Sequence, residues 1–128
     1  MPGTAEVGFV DIELDKPRRL RYDTTALAVF ERLNDGKSAW ALLSNMENLG
    51  ISMVAKLLYA GLIHEDDRLA RNITGGPIQC EKLMESAPGE TRMDKFQYVF
   101  STVQDAVTTS WGLGDEEKNQ EAPEKPGL

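Results

Sequence analysis

The chain is poor in the side chains that most often do chemistry. It has one cysteine and one histidine in 128 residues. A single cysteine, Cys80, excludes an internal disulfide framework and a multi-cysteine zinc site, and a reducing compartment is its simplest setting. The lone His64 has no serine or cysteine beside it in a recognisable nucleophile motif. Positive charge is short as well. Lys and Arg number 14 against 21 Asp and Glu, a formal net charge of −7. Phosphate contacts supply most nucleic-acid affinity, so this balance argues against DNA or RNA as partner and against anionic membrane surfaces. Long apolar runs are missing. The richest stretch, Ile51 to Ile63, contains Lys56 and falls short of the ~20 residues that a bilayer requires. The opening Met1-Pro2-Gly3-Thr4-Ala5-Glu6 lacks the basic region and apolar core of a signal peptide.

What is present is periodicity. Val7 to Tyr22 reads as a β-hairpin. Val10, Ile12 and Leu14 alternate with Asp11 and Glu13, and Leu20 and Tyr22 alternate with Arg19 and Arg21. Pairing Leu14 with Leu20 and Ile12 with Tyr22 gathers the apolar residues on one face. It sets Glu13 opposite Arg21 and Asp15 near Arg19 on the other, with Pro17 at the loop centre. Asp23 then reads as the N-cap of a helix from Thr24 to Leu33, with Tyr22 and Leu27 at the staple positions. Leu27, Phe30 and Leu33 form its buried stripe, and Asn34-Asp35-Gly36 ends it.

Ser38 can cap a short helix carrying Trp40, Leu43 and Met46, with Trp40 read as a core residue. Ser52 is placed as the cap of the next helix. There Val54, Leu57, Leu58, Gly61 and Leu62 follow the spacing of a core-facing stripe. Gly61 reads either as a close-packing position or as a glycine tolerated near a helix end. A polar connection covers His64 to Gly76. Pro77 suits a first helical position, followed by Ile78, Cys80, Leu83 and Met84 before Pro88. The longest helix spans Thr91 to Trp111, with Phe96, Val99, Phe100, Val103, Val107 and Trp111 as a wide apolar stripe. Gly112 and Gly114 stop it. The fold class is therefore α+β and predominantly helical: an N-terminal hairpin, about five helices over residues 1–113, and a tail over 114–128. That tail is rich in Glu, Lys, Pro and Gln and buries too little to offset its ordering entropy, so it is expected to be disordered.

No catalytic, cofactor or metal site emerges. His64-Glu65-Asp66-Asp67 are consecutive and do not converge on an ion without a special loop, and a solvated helix end accounts for them. Cys80 reads as a small core residue on an amphipathic helix. Thr74-Gly75-Gly76 lacks the lysine of a phosphate loop. Arg18, Arg19 and Arg21 form a basic patch that Asp11, Glu13 and Asp15 neutralise. The last helix is different. Its apolar arc is wider than short neighbours can cover, and surplus apolar surface marks a partner site. Phe100, Val103, Val107 and Trp111 are the candidate partner-binding residues.

The run Leu20-Arg21-Tyr22-Asp23-Thr24-Thr25-Ala26-Leu27-Ala28-Val29-Phe30-Glu31, then Gly36-Lys37-Ser38 and Ala41-Leu42-Leu43, resembles the opening of tail assembly chaperones of long-tailed bacteriophages. Leu57-Leu58-Tyr59-Ala60-Gly61-Leu62-Ile63-His64-Glu65-Asp66 is similar to the family's next helix and acidic turn. The resemblance spans about residues 7 to 113 and departs between His64 and Ile78, where Gly75-Gly76-Pro77 is inserted. It implies a non-enzymatic protein without cofactor, held in the host cytoplasm. Its partners would be the long helical tape-measure protein and tail-tube subunits, with homo-oligomerisation left open. A structural virion component, such as a tail or head–tail joining protein, is the alternative. A small enzyme or regulator is a third class, which bound metal or nucleotide would mark.

Overall fold

The computed structural model describes residues 9–45, 49–65 and 76–112. Two strands and five helices follow in order: β1 (Phe9–Glu13), β2 (Pro17–Arg21), α1 (Thr24–Leu33), α2 (Ala39–Leu43), α3 (Ile51–Leu62), α4 (Gly76–Met84) and α5 (Arg92–Trp111). The α+β class and the hairpin-then-helices order agree with the sequence pattern. Met46, Asp66, Asp67, Thr74, Gly75 and the tail over 114–128 lie outside the described residues.

The hairpin keeps the expected faces but not the expected partners. Ile12, Leu14, Leu20 and Tyr22 are all buried. Yet Val10 faces Leu20, Asp11 faces Arg19, Ile12 faces Arg18 and Glu13 faces Pro17. The pairing of Leu14 with Leu20 is thus displaced, and Pro17 opens β2 instead of sitting at the loop centre. The short Leu14-Asp15-Lys16 connection is held by Arg18, whose Nε and Nη2 reach the two Asp15 carboxylate oxygens at 2.8 and 3.0 Å. Proline has no N–H for the ladder, and the first residue of a strand is one of the places that tolerate it.

Side chains from elsewhere occupy the hairpin's outer edges. The Glu13 N–H donates to the Tyr98 hydroxyl at 3.0 Å. On β2 the Arg19 N–H donates to Glu65 Oε2 at 2.8 Å. His64 Nε2 lies 2.7 Å from the Arg19 carbonyl oxygen. A carbonyl only accepts, so that ring nitrogen carries the hydrogen.

α3 is the centre of the molecule. Its eight residues from Val54 to Leu62 other than Lys56 are buried. A helix apolar on nearly every side must be covered on every side, and α3 packs against α1, α4, α5 and β2. Its cap is Gly50, in extended backbone and without a side-chain hydrogen bond, so Ser52 is not the cap but lies inside the first turn. Gly61 is a packing position. A Cβ there would lie 2.6 Å from Tyr22 Cζ and 2.7 Å from its hydroxyl oxygen. Tyr22 cannot move aside freely, because that buried hydroxyl donates to the Leu57 carbonyl at 2.6 Å.

The remaining helices obey local rules. Asp23 caps α1 by accepting the Ala26 N–H at 2.9 Å. Asp35 and Gly36, both at positive φ, end α1. α4 starts at Gly76, one residue before Pro77, and buries Cys80 and Met84 while Ile78 is exposed. α5 opens with a capping box between Thr91 and Asp94 and stops at Gly112 in the left-handed conformation.

Candidate partner-binding site

The residues of α1 at positions 24, 27, 28 and 31 share one stripe by helical spacing. Thr24, Leu27, Ala28 and Glu31 form one wall of a groove of about 150 Å³; Ala39 and Trp40 of α2 and Trp111 of α5 complete it. Leu27 and Ala39 are buried at its floor. The two indoles meet edge to face, with centroids 5.1 Å apart and planes at 77°. Trp40 is 45% exposed and Trp111 36%.

Each wall is fixed by a hydrogen bond to a neighbouring element. Trp111 Nε1 donates to the Tyr22 carbonyl at 2.8 Å, so the end of α5 is tied to the residue just before the α1 cap. Glu31 Oε2 accepts the Ala39 N–H at 2.8 Å and anchors the first turn of α2 on α1. Ser38 Oγ accepts the Ala41 N–H at 3.4 Å and caps the same helix. Trp40 is thus displayed on a short helix held at its start from two directions. An edge-to-face pair of aromatic rings contributes roughly 0.5–1.5 kcal/mol beyond burial.

The structure divides the four residues selected on α5. Val103 and Val107 are 0% and 2% exposed, so they are core residues and cannot meet a partner on the folded surface. The valines form the inner side of a helix that packs on both strands and on α3. Phe100 is partly buried and stacks on Phe96 at 6.1 Å. Trp111 is where the selection meets the surface. Trp40, assigned to the core by its residue type, is its partner there. In a five-residue helix the inward positions are four apart, and Ala39 and Leu43 take them. That offset turns Trp40 outward.

Comparison of the chain with family profiles, curated proteins and solved structures finds no match. The groove's lining is apolar and aromatic, with the single carboxylate of Glu31 among the described residues. Among the described residues no cluster of His, Cys, Asp and Glu could hold a metal ion. No described helix is long and apolar enough to cross a membrane.

The two reactive side chains stand apart in character. Cys80 is buried, and burial pushes its thiol up to about 12, far from the thiolate that nucleophilic chemistry needs. His64 is exposed and bound to the Arg19 backbone, with its ring edge-on to Phe9 at 5.4 Å. The basic patch is largely paired. Arg18 bridges Asp15 and Glu65, Arg19 reaches Asp11 at 3.9 Å and Arg21 reaches Asp23 at 3.4 Å. Arg19 and Arg21 also lie over the Phe9 ring, at 4.2 and 5.3 Å from its centroid. A second hollow of about 90 Å³ lies between Ile51 of α3, Glu81, Met84 and Glu85 at the end of α4, and Arg92, Lys95 and Phe96 of α5. Three of its charged side chains are engaged around Glu85: Arg92 pairs with its carboxylate, and Lys95 Nζ donates to its backbone carbonyl at 2.8 Å.

Proposed function

We propose that the chain is a bacteriophage tail assembly chaperone. In this reading it binds apolar helical segments of the tape-measure protein, and tail-tube subunits with them, in the host cytoplasm while the tail is built. The observation that carries the reading is the pair of half-exposed tryptophans over a buried apolar floor. Tryptophan is enriched among binding hot spots, and a groove of this kind accepts the apolar stripe of an amphipathic helix. The resemblance of residues 20–31, 36–38, 41–43 and 57–66 to such chaperones supports it. So does the order of elements, since the family implies a short strand pair, a helix, a short helix and a longer helix ending in an acidic turn. An acidic surface suits the task, because net charge keeps the carrier soluble while it shields an apolar client.

The test is co-expression with a tape-measure protein, scored by the fraction of client that stays soluble. Trp40→Ala is the informative variant: Trp40 is the more exposed indole and forms no part of the core. The variant should stay folded and melt roughly 5–10 °C below the parent, since a surface change is worth about 0.5 kcal/mol and loss of the ring pair about 1. It should leave the client largely insoluble. A stable Trp40→Ala protein with full solubilising activity would remove this groove from the function. Recovery of the chain from purified mature virions would instead favour a structural virion component.

A further inference from the structure

The charge on the groove's lining is negative and stands alone there. Glu31, which carries it, is half-buried. Its Oε2 accepts the Ala39 N–H at 2.8 Å. No lysine or arginine lines the groove with it, and no ion pair among the described residues involves it. Beside this carboxylate stand both tryptophans of the chain. An edge-to-face pair turns only one ring face toward its neighbour, and each of these indoles is more than a third exposed. A π face and a carboxylate attract the same kind of group. Indole is the aromatic ring that binds cations best, and a planar guanidinium can stack on it while donating to a carboxylate oxygen.

We infer that the groove selects basic partner helices. The floor takes an apolar side chain of the partner, and an arginine one turn away on the same helix lies on an indole and donates to Glu31. Such selection presupposes the chaperone function proposed above. It narrows the clients to amphipathic helices that carry a basic residue at the border of the apolar stripe. The spacing on α1 fits this arrangement. Leu27, buried at the floor, and Glu31 are four residues apart and so one helical turn apart. A partner helix lying along α1 therefore meets them with residues that are also one turn apart. The formal charge of −7 adds a long-range attraction for the same partners. A helix with an acidic residue at that border brings like charge to Glu31 and is rejected. The carboxylate thus lets the site discriminate among apolar helices that the indoles alone would accept equally.

Because both tryptophans lie at the groove, the fluorescence of the full chain reports its occupancy without labels. The probes are two tryptophan-free helical peptides of leucine, alanine and glutamine, with the leucines in one stripe. They differ at one position, a turn from the central leucine, which is arginine in the first and glutamine in the second. The arginine peptide should bind the parent about five-fold more tightly at low salt. In Glu31→Gln that preference should fall to about two-fold, the part owed to the indole. The new amide oxygen can still accept the Ala39 N–H, so the melting curve should hardly move. Equal binding of the two peptides to the parent would overturn the inference, with no variant needed, and would leave the groove's affinity for apolar helices intact. A preference that survives unchanged in Glu31→Gln would also overturn it, because the selection would then belong to the net charge. Binding of neither peptide would overturn it together with the groove's role in the chaperone function.

Discussion

Replacing Gly61 by alanine sets two physical effects against each other, and the structure says which wins. In a helix interior alanine is favoured over glycine by about 0.8–1 kcal/mol. At Gly61 the added methyl would lie 2.6 Å from Tyr22 Cζ, 2.7 Å from its hydroxyl oxygen and 3.0 Å from Leu20 Cδ2. Both neighbours are buried, at 1% and 0% exposure. Forcing a methyl into a closed core costs roughly 1–3 kcal/mol. If Tyr22 shifts, its hydroxyl loses the Leu57 carbonyl, and a buried polar group without a partner costs about 1–3 kcal/mol more. The net expectation for Gly61→Ala is destabilisation by about 1–5 kcal/mol, which for a domain near 100 residues lowers Tm by roughly 4–8 °C for each kcal/mol. Urea unfolding followed by circular dichroism measures it. Tyr22→Phe supplies the control, because it removes the hydroxyl oxygen and costs about 1 kcal/mol alone. In the double variant the two losses should sum to less than additive, since the methyl then meets a ring without its oxygen. A Gly61→Ala protein as stable as the parent would refute the packing of α3 against the hairpin.

Three further outcomes follow from local geometry. Asp23→Ala removes the cap on Ala26 and should cost about 1 kcal/mol in urea unfolding; no change would place the start of α1 elsewhere. Cys80 makes the fold sensitive to alkali. Its folded thiol is raised to about 12 from 9.0, so the unfolded thiol ionises first; stability is complete below about pH 9 and falls as pH rises toward 12, by about 4 kcal/mol at most. Urea midpoints taken between pH 8 and 10.5 should therefore drop less in Cys80→Ala than in the parent, and native Cys80 should resist thiol reagents at pH 8. Finally, Val103→Ala should act as a core change, costing roughly 1–3 kcal/mol, whereas Trp40→Ala should cost about 1 kcal/mol, and reversed magnitudes would undo the division of these residues into core and groove.

The faces of the elements were legible in the sequence, and their partners were legible only in part. Period two assigns Ile12, Leu14, Leu20 and Tyr22 to one side of the hairpin, and they are there. A shift of two residues on each strand keeps every side chain on the same face, so the pattern cannot distinguish the registers. The choice falls to the turn, where Arg18 holds Asp15. That contact keeps the Asp15 carboxyl below its usual range through the guanidinium beside it. The Asp23 cap, the Asn34–Gly36 stop and the Thr91 start were readable because capping is local. Trp40 and Ile78 were not, because residue type suggests burial and only the offset within a short helix decides exposure. On α5 the stripe was correct as a stripe. Its inner members, Val103 and Val107, became core, and Trp111 became a groove wall only through α2, whose position depends on the Glu31–Ala39 bond.

The side chains that sit along the hairpin's edges protect peptide groups that would otherwise be open to another strand. A bare two-stranded hairpin presents unpaired peptide groups on each side and invites foreign strands to add to it. Here an incoming strand finds both peptide groups of Arg19 already satisfied, the N–H by Glu65 and the carbonyl by His64, and the Glu13 N–H satisfied by Tyr98. Growth by strand addition would first have to break bonds within the fold.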